Sequence, residues 1–584
     1  MQYLITLAGG KGETMRFFLI LLFFTSIILI KSATASSDIS EITVKATRLP
    51  NSNEFFDRSV FKKDDISDIS SAGDFFREQP SMEFNDYNSP GTLVNMKING
   101  TKPSHVLVRF DGVKLNDIFN GAFDFSIIEP EILSSISIDK VTLSSLYGGD
   151  SPGGVIDMKC SNKSPERFGL VFGSYGYKKS YFTQPLEKGY IFGSHKQYSG
   201  NRDFSNGRQN SIYILQKTDD LRISFYKSNE NVGTPGSLSW PSIGDRYQKN
   251  IDILSINGEI GKNMEMKVGV LRNNLGYLDS SLERENDYKT DKSSLELDYH
   301  PDEDIILGIQ HEDFDGKATI YSDNDWNTIW SAGDTKDQID KRFHNNSIFG
   351  EAKAGKLYFS ARHDAYSEFG SHNSFNTAFK NKGFLITYFR GYKLPTFNDL
   401  YWPKVGNSTL KREKNNGYRI TQNISSWFSL SFYKNHFKNL IEWAQSATNS
   451  WIPQNIGRAE VKGEELKLKS RNLSLSWNWC KPIDLSNFDS LIYKQRMSGK
   501  LTYTHNGVEL SYLYHGRMRI ESDTNFTTGA KTIRYRPAVG TWNFSLNGKK
   551  IFLRIDNIFD KEYMTVKNYP YSERTFTIGI RYRF

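Results

Sequence analysis

A chain of 584 residues is too long for one ordinary hydrophobic core, so two or more units are expected. Charged residues at 24% and a mean hydropathy below zero exclude a polytopic helical membrane protein, in which each span needs about 20 mostly apolar residues. The formal charge of +8 does not point to nucleic acid, because Lys and Arg are interleaved with Asp and Glu rather than gathered in a tract. Aromatics reach 14%, mostly Tyr and Phe, a combination that suits a transmembrane β-barrel with a polar lumen and aromatic girdles.

In chain order, the first element is an apolar run from Phe17 to Ile30, with Arg16 before it and Ala33-Thr34-Ala35 after it. It is short for a membrane span and has the basic start, apolar middle and A-x-A end of a secretory signal peptide, so residues 1–35 are read as one, in preference to an uncleaved anchor. Met15 is the expected true start. AGGKGET before it lacks the GxxxxGK[ST] spacing of a phosphate loop.

A polar leader, 36–58, follows. It contains a β-prone segment at 41–48, with Glu41, Ile42, Thr43, Val44, Lys45 and Ala46 at its head. Such a segment either adds as a strand to a partner's sheet edge or opens the next domain. From 59 to 160 short apolar strands alternate with turn signals, among them Asn88-Ser89-Pro90-Gly91, Asp111-Gly112 and Gly153-Gly154, which is the pattern of a compact β-rich domain. Val106, Val108 and Phe110 alternate with Leu107, Arg109 and Asp111 as a strand requires. Gly149-Asp150-Ser151-Pro152-Gly153 satisfies G-x-S-x-G, but a nucleophile elbow needs a helix next, and Val155 to Met158 reads as a strand. With His105 as the only histidine of the domain, no catalytic triad is expected.

From 165 to 584 the β alternation continues without a linker. In the last strand Phe576, Ile578, Ile580, Tyr582 and Phe584 fall on one face, and Thr575, Thr577, Gly579, Arg581 and Arg583 on the other. Leu510, Tyr512 and Tyr514 repeat the pattern, as do Leu170 and Phe172. A soluble sandwich of this size would need several linked domains, so a closed barrel, which has no exposed edges, is the better reading. Cys160 and Cys480 sit in no CxxC context, and their spacing does not settle whether they pair.

These motifs together resemble the TonB-dependent outer-membrane receptors. EITVKATR is similar to the TonB box, and Asp111-Gly112-Val113, Ile128-Glu129-Pro130-Glu131, Ser145-Leu146-Tyr147-Gly148 and Gly153-Gly154-Val155-Ile156 follow in the order of the family's plug domain. The chain departs from the family at Asn99-Gly100, where an R-G pair is usual, and at Pro80-Ser81 in place of Pro-Gly. In the later region Gly233 to Ser237 resembles the family's early loop, Leu394 to Tyr401 with Gly406-Asn407 its mid-barrel signature, Asn557 to Tyr563 its final periplasmic turn, and RYRF its terminal assembly signal.

The resemblance implies an all-β membrane protein, a 22-stranded antiparallel transmembrane β-barrel with an N-terminal globular plug domain inside the lumen, in the outer membrane of a Gram-negative bacterium. At about 10 residues per strand, such a barrel leaves about nine residues for each connection. It further implies a monomer among outer-membrane lipid and lipopolysaccharide, with no catalytic residues and no nucleic-acid partner. TonB and its inner-membrane energising complex are the implied partners, engaging Glu41 to Ala46. Arg109, Asp111, Gly112, Tyr147, Gly148, Gly153 and Gly154 are the plug-motif residues. The ligand, a corrinoid or metal chelate, is expected between upper plug loops and outer barrel loops, with Asp86, Tyr87, Asn88, Asn116, Asp117 and Asn120 as candidate contacts; ordinary turn chemistry is the alternative for each.

No histidine lies between Phe389-Arg390-Gly391 and Gly406-Asn407, which disfavours haem. The compact barrel and KLPTFNDLYWP at 393–403 resemble vitamin B12 receptors more than the larger ferric-siderophore receptors, which stay as the alternative. No cofactor is expected beyond a structural calcium, with Asp323 and Asp325 as candidates against a plain turn. A passive porin or adhesin is the alternative of another class.

Overall fold

The computed structural model describes residues 49, 52–63, 71–86, 93–280, 284–322, 335–445, 451–485, 490–491, 493–524, 531–570 and 573–583, all within one compact unit. The expected signal peptide, the TonB-box residues Glu41 to Ala46, Tyr87, Asn88, the calcium candidates Asp323 and Asp325, and Phe584 lie outside the described residues.

The N-terminal domain is built on strands β1 (Arg58–Lys62), β2 (Met82–Asp86), β3 (Val94–Ile98), β4 (Val106–Phe110), β5 (Val113–Lys114), β6 (Leu133–Asp139) and β7 (Gly154–Cys160), with short helices α1 (Ala72–Arg77) and α2 (Ser144–Tyr147). Five of these strands form a mixed sheet in the order β1-β6-β7-β4-β5, with β4 and β7 parallel, while β2 and β3 make a separate hairpin. Val106, Val108, Ile136, Ile138, Ile156 and Met158 form its core. The sequence alternation in β4 suggests one dry face and one wet face, yet all five of its residues are buried. The second face is covered by the barrel: Leu107 belongs to a cluster with barrel residues Tyr358 and Phe389.

Twenty-two further strands close into an antiparallel barrel around this plug, the first beginning at Arg167 and the last ending at Arg583, while Met518–Thr524 with Lys531–Arg536 and Met564–Val566 with Tyr569–Pro570 form two separate hairpins. Barrel strands run from 6 residues (Ile551–Asp556) to 20 residues (Thr335–Ala354), less uniform than the expected ten. At the end where the barrel starts and finishes, connections are short, such as 187–188, 382–383 and 506–507. The opposite end carries the long connections, such as 394–412 and 516–538, beside short ones at 174–176 and 367–369.

This corrects one expectation. Asn557 to Tyr563 lies between the last two barrel strands at the long-loop end, and is no periplasmic turn. With an even number of strands the final strand returns to the end where the first began, so the connection before it must lie at the other end. Phe576, Ile578, Ile580 and Tyr582 project outward with 47% to 53% exposure. Cys160 and Cys480 are each buried and free, Cys160 at the end of β7 and Cys480 on a barrel strand.

Candidate functional site

Two features involve the plug, a set of bonds to the barrel wall and an aromatic cluster at the long-loop end. Asp111 and Gly112 hold positive φ angles of 47° and 92°, as the tight β4–β5 turn requires. The turn also anchors the plug. Asp111 Oδ2 lies 3.0 Å from barrel Arg222 Nη2 and accepts from Ser224 Oγ at 3.0 Å, its Oδ1 accepts from Cys160 N at 2.9 Å, and its carbonyl accepts from barrel Ser255 Oγ at 2.7 Å.

Similar pairs ring the plug. Lys179 of the barrel meets Glu129 at 2.6 Å and Glu131 at 2.7 Å, Lys393 meets Asp150 at 2.8 Å, and Lys500 meets Glu78 at 2.7 Å. In turn plug Lys114 meets barrel Glu312 at 2.6 Å, and the ring of plug His105, whose pKa burial pushes down, lies 2.6 Å from barrel Glu413. Burial pushes the Glu78 carboxyl up, but the Arg554 guanidinium and Lys500 ammonium prevail and bring it down to about 2. Asp150 is likewise brought to about 2, burial being outweighed by Lys393 and Lys292.

The other plug-motif residues brace this interface from inside. Arg109 lies with its guanidinium 4.2 Å from the Tyr147 ring centroid and 3.6 Å from Asp157. Gly148 ends α2, and Gly153 N donates to the His105 carbonyl at 2.8 Å. Gly154 has φ 136°, and a Cβ there would stand 2.3 Å from the Asp139 carbonyl oxygen, so only glycine fits. Ser151 is buried with its Oγ 3.3 Å from Ser144 Oγ, in a loop that leads into strand β7.

The expected ligand contacts separate into different roles. Asn116 is corrected from ligand contact to scaffold: it is buried, its Oδ1 accepts from Val108 N and its Nδ2 donates to the carbonyls of Val106 and Gly121, each at 2.8 Å. Asp117 caps its own turn through Phe119 N at 2.8 Å and reaches the barrel through Thr290 Oγ1, also at 2.8 Å. Asn120 stands exposed at the tip, with its Oδ1 accepting from Ala122 N. Asp86 is the last residue of β2.

Around that tip lies an aromatic wall that the sequence reading did not assemble. Phe119 packs edge-on against Tyr288 at 5.4 Å and Phe397 at 5.7 Å, and Phe343 reaches Phe369 at 5.3 Å and Phe397 at 5.8 Å. Tyr366, Tyr401 and Trp402 are half-buried at its rim. The KLPTFNDLYWP motif explains part of this: Thr396 and Asp399 form a capping box that starts a helix at Phe397–Tyr401, and Phe397 N donates to the Ile118 carbonyl of the plug. Tyr288, Phe343 and Phe369 come from neighbouring barrel hairpins, and only the seating of the plug brings Phe119 against them. Arg222 and Lys179 were missed for the same reason. A separate cavity of about 170 Å³ lies beside α1 between the plug and the strands that close the barrel, lined by Asp74, Glu78, Tyr177, Arg554 and Thr577 among others.

Comparison with known proteins agrees with this architecture. Residues 52–155 match the sequence profile of the TonB-dependent Receptor Plug Domain, and residues 162–582 match that of the TonB dependent receptor-like beta-barrel. The chain is similar to vitamin B12 transporter BtuB of Vibrio vulnificus, 24% identical over 90% of this chain and 92% of that one. It is likewise similar to vitamin B12 transporter BtuB of Photobacterium profundum, 24% identical over 94% and 96%. Among solved structures, the siderophore receptor PirA of Acinetobacter baumannii superposes with a TM-score of 0.69 at 15% identity, covering 91% of this chain and 99% of that one. The ferric enterobactin receptor PfeA of Pseudomonas aeruginosa gives 0.71 at 15% identity, covering 93% and 100%. At such identities these structures establish the fold.

Proposed function

The chain belongs to the TonB-dependent receptor family, whose members are receptors and transporters of the Gram-negative outer membrane, and from that premise we propose that it takes up a corrinoid of the vitamin B12 type with energy delivered by TonB. The observation that carries the energised reading is the filled lumen: among the described residues a folded plug is bonded to the barrel wall at several points around its circumference. That arrangement favours gated, energised passage over a passive porin.

The outer membrane has no ATP supply and no sustained ion gradient, so force must come through the periplasm. Glu41 to Ala46 would receive it by strand addition, a mode in which main-chain bonds give affinity and side chains matter little. Ion pairs of the plug–wall interface can be exchanged for water at little net cost, whereas its apolar contacts, such as Leu107 against Tyr358 and Phe389, must expose surface when the plug moves.

Support for a corrinoid comes from the two relatives named as vitamin B12 transporters. A ferric siderophore is the second reading and an arm of the test. In a Gram-negative host lacking its own receptors, the full chain should restore growth on limiting cyanocobalamin and not on chelated iron. Deleting Glu41 to Ala46 should abolish accumulation of labelled cyanocobalamin while surface binding persists. Rescue on chelated iron alone would overturn the ligand, and undiminished uptake by the deletion variant would overturn the energised mechanism.

A further inference from the structure

Tyr493 holds a positive φ of 55° in the connection 485–496, which joins two barrel strands at the long-loop end. Asn and Asp account for most of the positive angles outside glycine in this chain, because their short polar side chains tolerate the left-handed region; a tyrosine there is strained. A residue so held persists only where its surroundings over-determine it. Three bonds do so here. Tyr493 N donates to the Arg519 carbonyl at 2.8 Å, its own carbonyl accepts from Lys97 Nζ of the plug at 2.9 Å, and Lys494 Nζ, from the next residue, donates to the Thr101 carbonyl of the plug.

The two lysines are exchanged across the boundary between plug and wall, Lys97 standing on β3 and Lys494 on the connection. Both are buried, at 3% and 8% exposure, and Glu83, in register with Lys97 on β2, is the acid whose charge acts on both. A buried ammonium is costly unless it is bonded, so separating plug from connection deprives each lysine of the partner that justifies its burial. On its other side the same segment grips an outer hairpin. Arg519 belongs to Met518–Thr524, which pairs with Lys531–Arg536, and Gln495 bridges to Met518.

We propose that residues 493–495 are a strained strap coupling the seat of the plug to the outer hairpin 518–536. With the plug seated, the bonds of Lys97 and Lys494 keep Tyr493 in the left-handed region, where its N–H reaches Arg519. When the plug moves, both lysine bonds break, Tyr493 relaxes out of that region, and the bond to Arg519 lapses. The coupling is reciprocal, so fixing the hairpin from outside strengthens the seat of the plug. This coupling is independent of which cargo is carried and of what supplies the force.

Hydrogen–deuterium exchange of the full chain in detergent micelles, without cargo or TonB, tests it. In the parent, peptides spanning 490–520 should lose protection at the same urea concentration as those spanning plug strand β4. The Lys97→Gln, Lys494→Gln double variant should exchange about tenfold faster over 490–520 without denaturant, while β4 stays protected. Tyr493→Gly keeps both main-chain bonds and removes the strain, and should exchange no faster than the parent. If the double variant fails to fold, Lys494→Gln alone is judged by the same comparison. Parent-like exchange in the lysine variant, or loss of protection over 490–520 well before β4 in the parent, would overturn the proposal. Fast exchange in Tyr493→Gly would also overturn it, by placing the hold in the tyrosine side chain rather than in the lysine bonds.

Discussion

On the outward face of the closing strand, Phe576, Ile578, Ile580 and Tyr582 are 47% to 53% exposed, while Arg222 and Arg419 on the inward face of the same barrel are 1% exposed and pair with plug acids Asp111 and Asp57. A water-soluble protein would reverse this distribution. Apolar groups need no partner where the solvent is lipid, whereas each charge enclosed in the lumen must find one. A single sheet therefore carries a non-directional lipid face and a directional face that fixes where and how the plug sits.

The largest effect that can break this comparison is expected at the Asp111–Arg222 pair. Arg222→Ala leaves a buried carboxylate without its cation, at a cost of about 3–5 kcal/mol, and should appear as a lower urea midpoint for plug unseating and as increased entry of large antibiotics. Adding Asp111→Asn should recover most of the loss. Unchanged permeability in Arg222→Ala would show that the lumen face does not seat the plug.

On the other face, Ile578→Lys, near the middle of its strand, should destabilise folding into lipid vesicles by about 2–4 kcal/mol. Thr577→Lys, its inward-facing neighbour, should change stability by no more than about 0.5 kcal/mol. Equal effects at the two positions would erase the distinction between faces.

A smaller effect, confined to acid, is expected from Glu78. Its folded-state pKa of about 2 lies below the ordinary 4.5, so its contribution is complete above pH 4.5 and is lost as pH falls toward 2. Glu78→Gln should flatten the pH dependence of plug seating across that window and leave it unchanged in shape above it. The smallest effect on stability, within about 0.5 kcal/mol, is expected for Asn120→Ala, which should still weaken cyanocobalamin binding measured on whole cells.

Much of this architecture was legible because periodicity reports the neighbour of each strand face. Phe576 to Tyr582 read correctly as a lipid face, since hydrophobic alternation needs no partner to be interpreted. The Asp111-Gly112 turn was equally plain, because positive φ angles select these residues wherever they occur. Site assignments were less secure. Asn116 carries the same turn chemistry as Asn120, yet one is consumed in the plug and the other stands at its tip, a difference set by where the chain next folds back.

The sequence by itself determined the kind of molecule: a β-rich plug followed by a long run of alternating strands that must close, since open edges would aggregate. Only the tertiary structure decided which charges meet. Arg222 and Asp111 are 111 residues apart, Lys179 and Glu129 belong to different domains, and Phe119, Tyr288 and Phe343 lie on separate segments. Their pairing depends on the rotational seat of the plug within the barrel. Local periodicity reports whether a face is wet, dry or lipid-covered, but not which distant residue will stand opposite it.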